Sequence, residues 1–514
     1  MKTKILVLSL IIATGLIGTY IGKKYSEPKV IQMISKGKSP SSSNTETAVI
    51  DSNAGSEHSK PAGTATNAIV VVNEGESIQE AVKTASPGTT IQIMPGTYNE
   101  TVYIDKDSIH LIGVFDQGKR ARLDGEGKLN DAILYSGNNI AVENLFITGY
   151  KGNGIMGQAG NNFEIRNNII KDTGVYGIFP QLGKNGIVEH NVVSGIEDAA
   201  IYIGMSDNVH VSHNDVFDSV AGIEIENSRH AIVENNFVQN NTGGILAFIT
   251  PGLPIKTTYD VIIRNNFIAN NNHPNFGAPG STVAGIPAGT GILVMAADQV
   301  VIEDNIIKNN KNTGILIVDH ANAANITDDP DSEPNPDEVS ILNNTMLNNG
   351  YEPIVEIKGL MALELKTGQP DIVHVSQGSG SCILNRSQYV TVGLGDFSDC
   401  EFTHTNNIDS YLLNTPVKPR KIEASERGMI AYLGVCTGCH SFNGRLIGPS
   451  IQQIQALYFD NPEGLVEYIA NPIKKRPDYP EMPSQRYLGD ETMMAVAKYV
   501  LQVENVSPSA PASH

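Results

Sequence analysis

The chain has 514 residues, and its 55 acidic and 36 basic side chains give a formal net charge of −19 at pH 7. This length exceeds that of one ordinary domain and predicts two or three units. A surface that binds nucleic acid needs clustered Lys and Arg, so the acidic balance argues against a nucleic-acid partner. Hydrophobic residues make up 40% of the chain, which excludes a disordered acidic tail.

An uncharged run over residues 5–22 follows Lys2 and Lys4 at the amino terminus. It is long enough for a signal-peptide core or for a short membrane span. Because no small-x-small cleavage site and no lipobox cysteine follow, residues 1–22 predict an uncleaved signal anchor, with a cleaved signal peptide as the alternative. Residues 23–67 are rich in Ser, Thr, Gly and Pro and predict a flexible tether. The remainder of the chain is then expected in the periplasm or at the cell exterior.

A repeated phrase dominates the middle of the chain. Its polar pair ends in Asn168, Asn191, Asn214 and Asn236, so one repeat is 22 or 23 residues long. A coil of this length cannot bury its apolar side chains alone, so stacked coils are expected to line a shared interior with Ile and Val and to pair their strands in parallel. Stacked Asn amides can hydrogen-bond from coil to coil.

These repeats resemble the right-handed parallel β-helix of the pectate-lyase-like superfamily, with the carbohydrate-binding and sugar-hydrolase-type repeats also found in the NosD-like accessory protein of nitrous oxide reductase systems. The resemblance implies an all-β solenoid over residues 68–350 and last coils with a cap over residues 351–414. Residues 77–104 resemble the usual capping helix and first coils. The superfamily contains lyases, hydrolases, epimerases and non-enzymes, so the resemblance implies a fold and leaves the activity open.

Two carboxylates on one strand are candidates for catalysis. In the alternating pattern of the repeat, Glu224 and Glu226 share an outward face, about 6.6 Å apart along the strand, and Tyr202 lies on the neighbouring strand. Carboxylates at such a spacing can flank a water and a glycosidic bond, which predicts a polysaccharide lyase, hydrolase or epimerase. The alternative is a solvated face without catalysis, and the fixed motifs of the superfamily's lyases and epimerases do not occur in this chain.

Three insertions lengthen the later coils, at residues 244–266, 266–291 and 314–344. Long loops on a rigid scaffold often carry function, and the apolar outward columns of these coils need a cover. We expect a ligand groove or docking surface among Glu224, Glu226, His273, Asp319 and His320. The acidic loop over residues 328–338 is a candidate for Ca²⁺ without EF-hand spacing. His190 and His213 occupy equivalent turn positions, so their rings can stack. Residues at such positions usually only fill the turn column alongside Asn and Asp, and the spacing places no third metal ligand.

The cap over residues 351–414 contains Cys382 and Cys400. In an exported protein such a pair is expected to form a disulfide, with two buried free thiols as the alternative.

The most specific motif is C-x-x-C-H, formed by Cys436, Cys439 and His440. It is the attachment signature of c-type haem, because two thiols must reach the two vinyl groups while the imidazole turns onto the iron. A helix is predicted to start near residue 424, and a second helix covers the apolar spacing of residues 494–501. Met482 lies between them, flanked by two prolines.

Residues 425–503 resemble the small bacterial class I monohaem cytochromes c. The resemblance implies an all-α domain over 425–505, after a linker at 415–424 and before a tail at 506–514. It also implies thioethers at Cys436 and Cys439, His440 as proximal ligand, Met482 as distal ligand, and Pro449 as the residue whose carbonyl orients the imidazole. Met493 and Met494 are rival distal ligands, and zinc binding by a chance motif is the remaining alternative.

His/Met ligation leaves no open coordination position, so the implied haem transfers electrons and does not bind oxygen. The sequence therefore predicts a membrane-tethered periplasmic cytochrome that serves a redox partner, with a β-helix for docking or for binding a carbohydrate. The two alternatives are a polysaccharide-active enzyme with the haem as a relay and an accessory or maturation factor for a redox enzyme.

Overall fold

A computed structural model describes residues 68–326, 329–405, 407–419, 426–437, 439–445, 448–479, 482 and 484–504. The predicted signal anchor, tether and tail lie outside the described residues. Within the described ranges, every helix is too short or too polar to cross a bilayer.

The larger part of the chain forms three parallel sheets that run along a solenoid. The first sheet has 13 strands: Ile69–Val72, Thr90–Ile93, His110–Gly113, Ala141–Glu143, Glu164–Arg166, Lys184–Glu189, Asp207–Ser212, Arg229–Glu234, Tyr259–Arg264, Asp298–Glu303, Ser340–Leu342, Cys382–Ile383 and Ser398–Asp399. The second sheet has 11: Val102–Ile104, Ile133–Tyr135, Ile155–Gln158, Tyr176–Gln181, Ala199–Gly204, Ala221–Glu226, Gly243–Phe248, Thr290–Met295, Thr313–Val318, Ile372–Val375 and Thr391–Val392. The third has 10: Gly96–Tyr98, Ala121–Asp124, Phe146–Thr148, Ile169–Lys171, Val192–Ser194, Asp215–Phe217, Phe237–Gln239, Phe267–Ala269, Ile306–Lys308 and Thr345–Leu347.

Each coil passes through the three sheets in turn, and each strand pairs in parallel with its equivalent in the next coil. In the second sheet Ile201 pairs with Ile223 and Ile203 with Ile225, and all four side chains are fully buried in the interior. The predicted parallel β-helix and its inward Ile column are therefore confirmed.

The predicted Asn column forms a hydrogen-bonded ladder. The Asn214 side chain donates from Nδ2 to the carbonyl oxygen of Val188, and its Oδ1 accepts from the backbone nitrogen of Asn191, both at 3.0 Å. The residue before each ladder Asn has a positive φ, such as 57° at His213, a conformation that Asn, Asp and His tolerate better than most residues. A second ladder runs through Asn241, Asn271 and Asn310. It was not predicted from the sequence, because in the preceding coil the equivalent position is occupied by Ser219 and not by Asn.

Both ends of the solenoid are closed as predicted. Helix α1, Ile78–Thr84, is capped by Ser77 and buries Ile78 and Val82 against the first coils. At the other end Cys382 and Cys400 form a disulfide, with Cα atoms 4.9 Å apart. The free-thiol alternative for this pair is thus wrong.

The outer face of the second sheet is covered, as its apolar columns require. Side chains from successive strands, including Met156, Phe179, Leu246 and Leu316, form a second hydrophobic cluster outside the interior. Helix α2, Val355–Leu363, contributes Ile357 and Met361 to this cluster. Residues Val283 and Ile286 of the long insertion also belong to it, so the insertions act as part of the cover.

Residues 403–405 and 407–417 form a strap that runs back along the solenoid. Side chains of successive coils hold its backbone: Arg264 Nη1 donates to the carbonyl oxygen of Ile408, Asn208 Nδ2 to that of Tyr411, and Asn162 Nδ2 to that of Val417. The predicted boundary between cap and linker falls inside this strap. The strap returns the chain from the last coils to the coil that contains Asn162.

A helical unit follows the strap. Its helices are α3 (Arg427–Ala431), α4 (Ile451–Leu457), α5 (Pro462–Ala470) and α6 (Asp490–Gln502). A five-residue π-helical turn, Tyr432–Cys436, extends α3. Helix α6 packs against α3 and α5 and buries Val496, Ala497 and Val500 in a separate core.

Candidate functional site

The C-x-x-C-H motif lies where the first helix of the helical unit ends. Cys436 is the last residue of the π-helical turn. The backbone nitrogens of Cys439 and His440 donate to its carbonyl oxygen at 3.1 and 3.0 Å. Both thiols are unpaired. The chain thus turns tightly between the two cysteines and the histidine.

A cavity of about 470 Å³ is lined by the residues that the sequence predicts as haem ligands and their support. The three motif residues Cys436, Cys439 and His440 lie on its wall, together with Pro449 and Met482. The rival Met493 is buried in the core of the helical unit and is absent from the cavity wall, as is Met494. The volume lies in the range of ordinary ligand and cofactor sites.

The imidazole of His440 is held in one orientation. Its Nδ1 lies 2.7 Å from the carbonyl oxygen of Pro449, and this contact requires the proton on Nδ1, which leaves the Nε2 lone pair for a metal. Burial lowers the pKa of His440, so the ring is neutral at physiological pH. Gly448 packs flat against this ring, since a Cβ built there would lie 2.4 Å from Cε1 of His440.

The two thiols sit in apolar surroundings. Burial raises the pKa of Cys436 and of Cys439 to about 12, and the carboxylate of Asp131 adds to the effect at Cys439. Zinc binding would require both thiols to lose their protons on coordination, whereas thioether attachment consumes the thiols without leaving a buried charge. Two thiols, a neutral imidazole and a thioether around an apolar cavity fit a covalently attached haem better than zinc.

Cations also line the cavity. Lys474, Lys475 and Arg476 lie on its wall, and the Lys475 ammonium is 4.6 Å from the ring centroid of Tyr468. Arg476 lies 4.8 Å from the ring centroid of Tyr479. An apolar cavity with a cationic, aromatic rim suits a flat macrocycle that carries carboxylates at one edge.

The solenoid supplies the rest of the cavity wall. Asn130, Asp131, Asn153 and Met156 line it together with the motif residues. Thr437, inside the motif, donates from Oγ1 to Oε1 of Gln158 at 3.1 Å. Val435 and Tyr487 of the helical unit pack against the hydrophobic cluster of the outer sheet face. No repeat or motif marks these solenoid residues, so sequence reasoning missed them.

The predicted carboxylate site is assembled but covered. Tyr202 pairs with Glu224 across adjacent strands, and its hydroxyl donates to Oε2 of Glu226. The three side chains point away from the solenoid interior as expected, yet Tyr202, Glu224 and Glu226 are only 2%, 2% and 5% exposed. The solvated face considered as the alternative is therefore wrong, and the pair does not face an open groove.

Burial changes the protonation of this cluster. It raises the pKa of Glu226 to about 7 and that of Asp198 to about 8, the latter also through repulsion from Glu226. It holds the pKa of Glu224 well above its ordinary range, with a further contribution from Asp198. Burial thus favours the protonated form of all three carboxyls, and Oε1 of Glu224 has no hydrogen-bond partner among the described residues.

The other predicted groove residues have separate local contacts. Asp319 caps the turn His320–Asn322 by accepting from the backbone nitrogen of Asn322, and Nε2 of His320 lies 2.9 Å from the carbonyl oxygen of Ile249. The ring of His273 lies against Phe276. The structure does not join these residues to the carboxylate cluster in the described ranges.

Two further predictions concern metal-binding residues. The rings of His190 and His213 stack with centroids 4.9 Å apart, as expected. In the acidic loop, Asp329 accepts from the backbone nitrogen of Gly252 and from Lys256. Burial opposes ionisation of Asp329, but these bonds outweigh it and lower the pKa to about 2. The Ca²⁺ prediction for this loop stays a prediction.

The model of a family described as periplasmic copper-binding protein (NosD) matches residues 82–283, within the solenoid. A search of curated proteins found no significant match to the chain.

Several solved structures share the fold. The A-module of mannuronan C-5 epimerase AlgE4 from Azotobacter vinelandii is 14% identical over 59% of this chain and 91% of that chain, with a TM-score of 0.41. An alginate lyase from a Paenibacillus species is 16% identical over 56% and 99%, with a TM-score of 0.42. A family 28 exopolygalacturonase from Yersinia enterocolitica is 11% identical over 62% and 71%, with a TM-score of 0.44. At these values the likeness carries no argument about activity.

Proposed function

We propose that the chain is an electron-transfer protein that carries one covalently attached haem c in the cavity between the helical unit and the solenoid. The observation that supports this most directly is the convergence of Cys436, Cys439, His440, Pro449 and Met482 on one cavity. These residues are separated by as many as 46 positions, from Cys436 to Met482. Their meeting is what a His/Met haem site requires and what a chance motif would not produce.

Each residue has a defined role in this proposal. Cys436 and Cys439 would hold the group through thioethers, and Nε2 of His440 and the thioether sulfur of Met482 would be the two iron ligands. Pro449 holds the imidazole in the tautomer that ligates. The bound group supplies a one-electron couple with a potential raised by the Met ligand and no open position for oxygen or substrate.

In this proposal the solenoid is the docking scaffold for the haem-binding unit. The strap and the contact between Thr437 and Gln158 hold the helical unit on the early coils. A redox partner therefore meets the cationic rim at Lys474, Lys475 and Arg476 and does not reach the side closed by the solenoid. A periplasmic location is supported by the description of the matching family. The amino-terminal segment as a membrane tether is part of the proposal and rests on the sequence alone.

The test is to express the full chain with a cytochrome c maturation system and to record a pyridine haemochrome spectrum. Wild type is expected to carry one covalent haem per chain, and the Cys436→Ser/Cys439→Ser double variant none. Met482→Ala is expected to change the spectrum of the reduced protein, because the distal ligand is lost. Met494→Ala, a matched truncation outside the cavity, leaves the spectrum unchanged. A chain without covalent haem refutes the proposal.

A second candidate is an accessory role for a redox enzyme, which the resemblance of the repeats implies; the matching family is described as a periplasmic copper-binding protein. Electron delivery to a partner enzyme is compatible with the proposed cytochrome, and co-purification with a metalloenzyme encoded nearby would test it. Polysaccharide cleavage requires Glu224 and Glu226 to reach a substrate, and their burial does not favour it. Full glycan-cleaving activity in wild type and its loss in Glu224→Gln/Glu226→Gln would reverse this conclusion.

A further inference from the structure

The solenoid places a charged side chain in the wall of the cavity. Asp131 precedes the strand Ile133–Tyr135, is 4% exposed, and is the sole carboxylate among the described residues that line the cavity. Its electrostatic effect reaches the thiol of Cys439 and the hydroxyl of Tyr487. The charge therefore lies close to the edge of the cavity where the two cysteines are.

The carboxylate of Asp131 is fixed in place by neutral donors. Its Oδ1 accepts from the backbone nitrogen of Asn153 at 2.9 Å and from Nδ2 of the same residue at 2.7 Å. Its Oδ2 accepts from Nδ2 of Asn130. No Lys, Arg or His of the described residues forms an ion pair with it. Burial raises the pKa of Asp131, and the hydrogen bonds from Asn153 and Asn130 oppose that rise, so its charge is tested at pH 8. Gly152 leaves the room for this arrangement, because a Cβ there would lie 2.7 Å from Oδ1 of Asp131.

The same wall has a second, independent sign of a bound group. Asn153 is 4% exposed and lines the cavity, and its Oδ1 has no hydrogen-bond partner among the described residues. Buried polar atoms without partners are costly, which points to a group that completes this wall.

We propose that the solenoid sets the reduction potential of the haem, through the fixed negative charge of Asp131 beside the cysteine edge of the cavity. This inference rests on the proposed function. Reduction adds one electron from an external redox protein to Fe(III) and gives Fe(II), and no covalent bond forms or breaks. A nearby carboxylate in a low-dielectric wall repels the added electron, so it stabilises the oxidised state and lowers the potential. Asp131 is thus a tuning residue and makes no bond to the iron.

The experiment is a spectroelectrochemical titration at pH 8 of the full chain and its variants, each first shown to carry covalent haem. Asp131→Asn keeps the shape of the side chain and removes the charge. At a fixed ambient potential the ratio of reduced to oxidised haem is expected to rise about tenfold, which is about 59 mV for a one-electron couple. Asn130→Asp adds a charge to the same wall and is expected to lower the ratio.

Asp319→Asn is the matched control, because Asp319 is also 4% exposed but lies outside the cavity, and it leaves the potential unchanged. An unchanged potential in both Asp131→Asn and Asn130→Asp overturns the inference, as does an equal shift in Asp319→Asn. If Asp131→Asn does not fold, the change in reduction potential of Asn130→Asp is the test of the inference. The absence of covalent haem in wild type would instead refute the proposed function, so the two failures are distinguishable.

Discussion

Nδ1 of His440 lies 2.7 Å from the carbonyl oxygen of Pro449. Gly448, the residue directly before this proline, leaves room for the ring at this position. A methyl group at Gly448 would overlap the imidazole, since its Cβ would lie 2.4 Å from Cε1. Backbone and ring cannot both stay in place.

Gly448→Ala is therefore expected to tilt the imidazole and to weaken its hydrogen bond to Pro449. In the haem-loaded protein this would lower the melting temperature and alter the absorption spectrum. Gly395→Ala is the control, because a Cβ at that position has no atom within 4 Å. Equal spectra and melting temperatures for the two variants would contradict the role assigned to Gly448.

Removing one rung of the Asn ladder should destabilise the solenoid. Asn214→Ala leaves the carbonyl oxygen of Val188 and the backbone nitrogen of Asn191 without their buried partner, at a cost of about 1–3 kcal/mol for each group. The free energy of unfolding, from urea denaturation, is expected to fall by roughly 3 kcal/mol. Asn99→Ala, which removes an exposed amide bonded to the carbonyl oxygen of Asp124, should cost less than about 1 kcal/mol. Similar losses would rule out a special contribution of the ladder.

The buried carboxyl of Glu226 should make stability depend on pH. Its pKa rises from 4.5 in the unfolded chain to about 7 in the folded protein, so the folded state binds the proton more tightly. The stabilisation is complete below pH 4.5 and is lost as the pH rises through about 7. The change amounts to about 3 kcal/mol.

Unfolding free energies at pH 5 and pH 8.5 would test this. Wild type is expected to be less stable at pH 8.5, and Glu226→Gln is expected to reduce the difference, because the amide does not titrate. Glu197→Gln, at an exposed position, should behave as wild type. A pH dependence unchanged by Glu226→Gln would show that other groups cause it.

The strap should detach when its anchors are removed. Asn162 and Asn185 have φ values of 55° and 63°, so glycine preserves the backbone while it removes the amides that bind Val417 and Leu413. Asn162→Gly/Asn185→Gly is expected to speed hydrogen exchange at these two amides at least tenfold, as for a segment that opens locally. Asn348→Gly, with a φ of 54° and no contact to the strap, is the control. Protection that survives the double substitution would mean that other contacts hold the strap.

The solenoid could be predicted because its causes repeat along the sequence. Residues equivalent to Asn214 and Ile223 recur in seven successive coils, so period, sheet direction and interior follow from stacking alone. The spacing of Cys436, Cys439 and His440 predicts haem attachment, and this stays a prediction. The position of the helical unit was not predictable. It depends on single contacts such as that between Thr437 and Gln158, which are 279 residues apart and carry no periodic signal.

The burial of Glu224 and Glu226 was also beyond the sequence. Alternation along a strand tells which side chains leave the solenoid interior, and it predicted these two correctly. It does not tell what lies over the outer face. That cover comes from helix α2, from the insertions and from the helical unit, which reach the face from distant parts of the chain.

The backward course of the strap implies an order of assembly. The coils that receive the helical unit are synthesised long before it, and domains generally fold as they emerge, amino-terminal first. A solenoid grows coil by coil, so the receiving surface around Asp131 and Met156 can be complete while the cysteines are still to be made. In the proposed haem protein, attachment machinery would reach these cysteines only until the strap brings them onto that surface. The time available for cofactor insertion would then depend on how fast residues 403–405 and 407–417 bind their coils.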